Sequence, residues 1–316
     1  MRMLLLGLLT FCMTTAHADV LGKVEAVKVL ERASQAAERV NYSGAYIHQY
    51  GEQISNFKIV HLFEGNQSAE RRESLDGPAR EYIRIGSRVS MYPAAGQGVT
   101  LDRRYTSKLF PNHLPENVAS LLVSYSLNKL GGDRVAGRDA TLYQLDPVDR
   151  LRYPQRFWVD NETGLILKSL MLGLRQEMVQ LFAFSQIHIG QEIDQKALKA
   201  TNAVQSVVVN QGEGIVAAPV EASWEIKPPV KGFRLLKQTT RTLPSKNRSV
   251  IHHLYSDGVV TVSVFIEPMN KQLPLGLAHQ GALYLYTRQA GSYLITCLGE
   301  VPAASVEAFA NAYTPR

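Results

Sequence analysis

Few residues of this chain combine the types and the spacing that catalysis or metal binding requires. His252 and His253 are neighbours on a predicted strand, so their imidazoles leave opposite faces and do not bind one metal ion together. Gly96-Gln97-Gly98 and Gly212-Glu213-Gly214 lack the later glycine and the strand-to-helix setting of a dinucleotide site, and they are interpreted as turn glycines. The sequence therefore predicts no metal and no cofactor.

A run of alternating charges is the next candidate for chemistry. It consists of Glu70, Arg71, Arg72, Glu73, Asp76 and Arg80. Paired carboxylates act as general acid and base in many enzymes, but the interleaved arginines favour a solvated strand face that neutralises itself. A Ser-His-Asp triad stays open at this stage, because its members need not be neighbours in sequence. The G-x-S-x-G signature of a nucleophile elbow is absent, and the chain is predicted not to be an enzyme.

Residues 1–18 have the pattern of a signal peptide. Arg2 precedes an apolar stretch that is too short to span a bilayer, and Ala16-His17-Ala18 provides a small-x-small cleavage pattern. We expect cleavage after Ala18, rather than lipidation at Cys12, and a soluble periplasmic protein that begins at Asp19. Only Cys297 remains after cleavage, and we expect it to be a buried small hydrophobe without a disulfide partner.

The charge of the chain limits the classes of partner. Its formal net charge is +6, which is mild for 316 residues, and it has no dense basic cluster. Attraction to anionic lipid headgroups or to an acidic peptide is compatible with this charge, whereas nucleic-acid binding is not expected.

The first part of the mature chain predicts a mainly β domain of the α+β class. Ala26, Leu30, Ala33, Ala37 and Val40 recur at helical spacing, and a second stripe over 118–125 predicts another helix that ends at Gly131-Gly132. Short connections between the strands favour an antiparallel sheet, and a sheet of this length must curl around the two helices. About eleven strands are predicted, over 46–50, 54–63, 69–75, 80–85, 88–92, 99–103, 134–136, 141–145, 154–160, 165–172 and 177–189.

The apolar interior of this curled sheet is the best candidate for a ligand site. Apolar side chains alternate with polar neighbours along the predicted strands, as a set that faces inward should. A curved sheet with few covering elements can leave a groove, and apolar grooves bind acyl chains; simple packing against the two helices is the alternative. The residues expected to line the groove are Phe57, Ile59, Tyr82, Tyr92, Phe157, Leu167 and Met171.

A linker over 201–219 is predicted to separate a first domain, residues 19–200, from a second domain, residues 220–316. The second domain should contain strands over 233–240, 250–256, 259–267, 283–288 and 293–298, followed by a helix over 303–312. A hairpin turn at Asp257-Gly258 leads into a long strand whose edge could pair with an extended partner segment. The residues expected to bind the partner are Tyr255, Val260, Val262 and Val264.

Four segments carry a resemblance to a known family. They are S-L-D-G-P-A-R-E at 74–81, D-R-V-A-G-R-D-A at 133–140, W-V-D-N-E-T-G-L-I-L-K-S-L at 158–170 and L-Y-S-D-G-V-V-T-V-S-V-F-I-E-P at 254–268. In order and spacing they resemble the RseB/MucB proteins, periplasmic negative regulators of the envelope-stress sigma factor. One departure is that Trp224 is present without the second tryptophan that the family tends to carry before the turn at 227–233.

The resemblance implies a fold and a function. It implies a first domain similar to the lipoprotein carriers LolA and LolB, a half-open barrel of eleven strands that holds helices, and a smaller second domain. The implied partner is the periplasmic part of a single-pass anti-sigma factor of the RseA/MucA kind, shielded from site-1 proteolysis and released when lipid or lipopolysaccharide binds. A periplasmic carrier of lipid or lipoprotein acyl chains is the alternative function, and a homodimer stays open.

Overall fold

The computed structural model describes residues 19–93, 98–102, 109–201, 206–208, 224, 227–243, 248–269 and 274–314. The predicted signal peptide, residues 1–18, lies outside the described residues, as does most of the predicted linker, 201–219. Within the described part of the chain, no helix is long and apolar enough to cross a membrane.

A thirteen-stranded sheet forms the first part of the chain. Its strands are β1 Asp19–Val20, β2 Tyr42–Tyr50, β3 Gln53–Glu64, β4 Gln67–Ser74, β5 Glu81–Ile85, β6 Arg88–Tyr92, β7 Gly98–Asp102, β8 Tyr125–Val135, β9 Arg138–Pro147, β10 Gln155–Asp160, β11 Ile166–Leu172, β12 Met178–Ile189 and β13 Ser206–Val208. The eleven strands β2 to β12 confirm the predicted antiparallel sheet. The short strands β1 and β13 are additions, at the two edges of the sheet.

The sheet joins two meanders and stays open. Strands β8 to β12 form one meander and β2 to β7 the other, and β12 pairs with β2 between them. Gly44 permits this pairing, since a Cβ there would lie 2.3 Å from the carbonyl oxygen of Gln186. The edge strands β1 and β13 do not pair with each other, so the described sheet is not a closed barrel.

Helix α1, Lys23–Arg39, covers part of the concave face. Its buried side chains are Ala26, Leu30, Ala33, Ala36 and Ala37, so its inner face consists mostly of alanines. Small side chains let the helix lie close to the sheet, where it packs in the same cluster as Ile59, Phe157 and Leu167.

The predicted second helix is wrong in its type and its end. Residues Val118–Val123 form a short 3-10 helix, and β8 begins two residues later, at Tyr125. Gly131 and Gly132 therefore lie within β8, next to an irregularity in its pairing with β9, instead of ending a helix. Glycines in a strand commonly mark such irregularities. A pair of glycines in a sequence can therefore indicate either an irregular strand or the end of a helix.

A six-stranded antiparallel sheet and one helix form the second part of the chain. The elements are β14 Arg234–Leu243, β15 Arg248–Ser256, β16 Thr261–Pro268, β17 Gly276–Gln280, β18 Leu283–Ala290, β19 Tyr293–Gly299 and helix α2 Ala303–Asn311. The strand order is β14-β15-β16-β19-β18-β17, so β16 and β19 are central. Helix α2 packs on one face of this sheet and buries Val306 and Phe309 in its core.

Candidate functional site

A cavity of about 560 Å³ lies against the concave face of the first sheet. It spans the strands from β12 through β2 to β6, beside the part of the sheet that α1 covers. Its lining is mostly aromatic and apolar, with a few charged side chains. The lining residues are Tyr46, His48, Phe57, Arg72, Ser74, Arg80, Glu81, Tyr82, Met91, Tyr92, Pro93, Leu109, Phe110 and Phe182.

Stacked aromatic rings form one wall of the cavity. The ring of Phe110 lies nearly parallel to that of Phe182, with centroids 5.5 Å apart. Tyr46 stacks on Phe57 at 5.2 Å, and His48 stacks on Phe182 at 4.1 Å. Burial lowers the pKa of His48, which keeps its imidazole neutral near pH 7. This wall is therefore apolar and uncharged.

Arg72, one member of a buried ion pair, forms another part of the cavity wall. The Nε of Arg72 lies 2.6 Å from a carboxylate oxygen of Glu70, and its Nη1 donates to the hydroxyl of Tyr46 at 3.2 Å. Burial alone would raise the pKa of Glu70, but the guanidinium groups of Arg72 and Arg84 together hold it below its usual value. The cavity thus contains a fixed positive group that is already partly neutralised.

This ion pair corrects one sequence expectation. Strand β4 was predicted to present a solvated face of alternating charges, yet Glu70, Arg71 and Arg72 are all buried. The face does neutralise itself, because Arg72 pairs with Glu70 and Arg71 pairs with Glu81 at 2.7 Å. Both faces of β4 are covered, since Arg72 donates to Tyr46 on one face and Arg71 donates to Thr201 on the other. Composition does not reveal this cover.

The structure brings only some of the predicted groove residues to the cavity. Phe57, Tyr82 and Tyr92 line it. Ile59, Phe157 and Leu167 are fully buried in the core beneath α1 and have no surface on the cavity. These three residues pack against the helix that covers their part of the sheet, which was the alternative to lining a groove.

Met171 lies in a third environment. It packs with Tyr153, Val179 and Ala282, and Ala282 belongs to the second domain. Met171 therefore contributes to the contact between the two sheets and not to the cavity. Four of the seven residues expected to line a groove, Ile59, Phe157, Leu167 and Met171, therefore lie outside the cavity lining.

Sequence reasoning missed several lining residues. Phe182 lies in a run of four apolar residues, 181–184, so alternation does not say which of them face the cavity. Met91 pairs with Tyr82 across β5 and β6, so its position follows once the register is known. Leu109 and Phe110 lie in an irregular segment without periodicity, and no sequence signal identifies them.

The expected partner-binding residues lie inside the second domain. Tyr255, Val260, Val262 and Val264 are buried in its core, where Tyr255 shares a hydrogen bond of 2.6 Å with Tyr313. Strand β16 pairs with β15 on one side and β19 on the other, so it has no free edge. The expectation that this strand offers an edge to a partner is therefore wrong, and the outer strands of this sheet are β14 and β17.

The remaining candidates for chemistry have structural roles. His253 is buried and hydrogen-bonds Tyr313, whereas His252 stacks on Phe265, so the two imidazoles do leave opposite faces. Cys297 is buried and unpaired in β19, and burial raises the pKa of its thiol. Among the described residues there is no group of three or more His, Cys, Asp and Glu side chains that could hold a metal ion.

Comparison with known proteins identifies the family. The MucB/RseB N-terminal domain matches residues 25–202, and the MucB/RseB C-terminal domain matches residues 218–314. The chain belongs to the MucB/RseB family. The sigma factor AlgU regulatory protein MucB of Pseudomonas aeruginosa is 29% identical over 99% of this chain and 96% of its own length. Members of the family are regulatory proteins, and this chain is not an enzyme.

Two solved structures of MucB share this fold. MucB in complex with MucA(peri) has a TM-score of 0.75 at 26% identity and covers 92% of this chain and 99% of that chain. MucB alone has a TM-score of 0.65 at 25% identity and covers 93% of this chain and 98% of that chain. Both matches extend over the two sheets.

Proposed function

We propose that this MucB/RseB protein is a periplasmic regulator that binds the periplasmic segment of a MucA-like anti-sigma factor. Bound in this way, the segment is shielded from site-1 proteolysis. A lipid whose acyl chain enters the cavity of the first domain releases it, and proteolysis then starts the stress response.

The observation that carries this proposal is the similarity, over both domains, to MucB in complex with MucA(peri). Family membership covers nearly the whole chain, including the second sheet. The signal-peptide pattern before Asp19 supports export to the periplasm, the compartment that the name MucA(peri) indicates for the bound segment of MucA.

The cavity supports the lipid part of the proposal. Its volume of about 560 Å³ lies within the range of small-molecule sites, and its walls are mainly aromatic. Burial of one methylene contributes about 0.8 kcal/mol, so a chain of six or seven methylenes offsets much of the cost of association. Of the residues predicted from sequence, Phe57, Tyr82 and Tyr92 are retained as acyl-chain contacts, joined by Tyr46, Met91 and Phe182.

The second candidate function is a lipid or lipoprotein carrier, and the cavity by itself favours both functions equally. The presence of the second domain distinguishes between the regulator and the carrier. A carrier needs only the cavity, whereas the match of residues 218–314 to the C-terminal domain of a regulatory family supports a protein that also holds a polypeptide.

The test is direct binding of the partner. The periplasmic segment of the same organism's MucA homologue is titrated into the mature protein, residues 19–316, by isothermal calorimetry. We expect saturable binding with one segment per chain and a Kd of about 1 μM or tighter. A site-1 protease should then cut the segment more slowly in the complex than alone. Absence of binding, together with tight binding of a fatty acid, would favour the carrier.

A further inference from the structure

The largest fully buried side chain of the described residues is a charged one, Arg152. It lies in the first domain, in the segment between β9 and β10, and its own solvent exposure is 0%. Its Nε donates to a carboxylate oxygen of Asp257 in the second domain, at 2.7 Å. It also pairs with Asp149 of its own segment and donates to the carbonyl oxygen of Lys231 in the second domain.

Both domains contribute the surroundings of this guanidinium group. It lies over the ring of Tyr125, 5.8 Å from the centroid, and over the ring of Phe233, at 4.9 Å. Tyr125 belongs to the first domain and Phe233 to the second. The hydroxyl of Tyr125 donates to the same oxygen of Asp257 at 2.8 Å, so one carboxylate accepts from two side chains of the other domain.

Asp257 is itself held rigidly. Its second carboxylate oxygen accepts from the backbone N–H groups of Val259, at 2.9 Å, and Val260, at 3.0 Å, which fixes the turn between β15 and β16. The side chain is buried along with Arg152. A carboxylate fixed in a turn and a planar guanidinium group define a narrow range of relative orientations for the two domains.

The backbones also approach closely at this point. Gly232 has a positive φ of 88°, and a Cβ there would lie 2.0 Å from the hydroxyl oxygen of Ser124. At a second contact, the hydroxyl of Tyr50 donates to the carbonyl oxygen of Gln280 at 3.3 Å. The domain contact therefore has two parts, and the ion pair lies in the first.

The energetics of such a pair favour a role in orientation over a role in stability. Each domain has its own hydrophobic cluster, so neither depends on the other for a core. Burial of a guanidinium group and a carboxylate removes both from water, and this cost offsets most of their attraction. When the domains separate, both charges regain water, so undocking does not require unfolding.

We propose that Arg152, with Asp257 and Tyr125, forms an interdomain latch that docks the two domains in the arrangement that binds the anti-sigma segment. Arg152 is a positioning residue, and the proposal rests on the proposed function. The whole chain has a TM-score of 0.75 to MucB with MucA(peri) and 0.65 to MucB alone, at nearly equal coverage. The latched arrangement is thus globally closer to the partner-bound protein.

The test compares three variants of residues 19–316: Arg152→Met, Asp257→Asn and the double variant. Small-angle X-ray scattering measures domain docking through the radius of gyration, and calorimetry measures affinity for the periplasmic segment of the organism's own MucA homologue. We expect each single variant to increase the radius of gyration and weaken partner binding by about tenfold. The double variant removes both charges, so it should recover part of both losses.

Arg138→Met is the matched control. Arg138 and Asp160 form an ion pair of the same length, 2.7 Å, between β9 and β10 within the first domain. Its loss should leave docking and affinity unchanged. Tyr125→Phe, which removes only the hydroxyl, repeats the test with a smaller expected effect if Arg152→Met does not fold.

The outcomes separate the latch from the proposed function. Failure of the wild type to bind the segment contradicts the proposed function. Normal wild-type binding with unchanged scattering and affinity in both single variants overturns the latch. Undocking without loss of affinity overturns it as well, and so does loss of affinity without undocking. A free-energy loss in the double variant equal to the sum of the two single losses would show that the two side chains do not act as a pair, and it would overturn the latch.

Discussion

The helices of the two domains cover their sheets differently. In the second domain, α2 places Phe309 against Tyr255 and Phe233, with ring centroids 5.1 Å apart in both pairs. In the first domain, α1 covers only part of the sheet, and a cavity of about 560 Å³ remains beside it. The first domain therefore has unfilled space beside its helix, whereas the core of the second domain is filled.

Away from the domain contact, where Asp257 is buried with Arg152, the buried polar groups follow the same division. The first domain buries charged groups, with Glu70 between Arg72 at 2.6 Å and Arg84 at 3.9 Å. The second domain buries a hydrogen-bonded network of uncharged side chains, in which the hydroxyl of Tyr313 lies 2.6 Å from the hydroxyl of Tyr255 and 2.6 Å from Nδ1 of His253. A ligand can rearrange charged side chains beside a cavity, whereas an uncharged hydrogen-bonded network in a filled core mainly fixes how the core side chains pack.

The largest expected effect is on the filled core. Phe309→Ala should lower the free energy of unfolding of the second domain by about 3–5 kcal/mol, because it leaves a hole among fully buried neighbours. Met91→Ala in the cavity wall should lower the free energy of unfolding of the first domain by less than about 1 kcal/mol, since Met91 is 46% exposed.

Urea denaturation followed by tryptophan fluorescence checks both values. The chain has two tryptophans, Trp158 in the first domain and Trp224 in the second, so Trp158→Phe or Trp224→Phe isolates each domain. Equal losses from Phe309→Ala and Met91→Ala would contradict the contrast between a filled and a hollow interior.

A smaller effect is expected from pH in the second domain. Burial lowers the pKa of His253 to about 4, below the ordinary value of 6.5. The folded state therefore prefers neutral His253. Its contribution to stability is complete above pH 6.5 and is lost as the pH falls from 6.5 through 4. Trp224 fluorescence in the Trp158→Phe background should show this decline, and His253→Gln should flatten it; an unchanged slope in that variant would assign the decline to other groups.

The strands were easier to predict from the sequence than the pairing between them or the helix at 118–123. Val262 and Val264 were expected to bind the partner, and the structure buries them in the core of the second domain instead. Alternation in β16 does place the two side chains on one face of the strand. It did not reveal that β19 returns to pair with β16, because pairing between strands about thirty residues apart depends on topology and not on local pattern. The 3-10 helix Val118–Val123 was misjudged for a related reason, since its apolar stripe continues into β8.

The site was predictable only in part. Phe57 and Tyr82 were recognised because alternation identifies side chains on the concave face. Alternation does not say which of these residues a helix covers, and α1 buries Leu167 while leaving Tyr82 open to the cavity. The Arg152–Asp257 pair had no sequence signal, because its members are far apart in the chain and each is an ordinary loop residue.

The central claim is that lipid in the first-domain cavity releases the partner. The most direct test adds a fluorescent fatty acid to the complex with the periplasmic segment of the MucA homologue and measures both ligands. Two variants sharpen it: Met91→Glu places a charge in the cavity wall, and Met178→Glu places one at a similarly exposed position, 44% against 46%, outside the cavity lining. We expect the fatty acid to displace the segment from the wild type and from Met178→Glu, and to bind Met91→Glu at least tenfold more weakly without displacement. Fatty acid that binds the wild type while the segment stays bound would contradict the account.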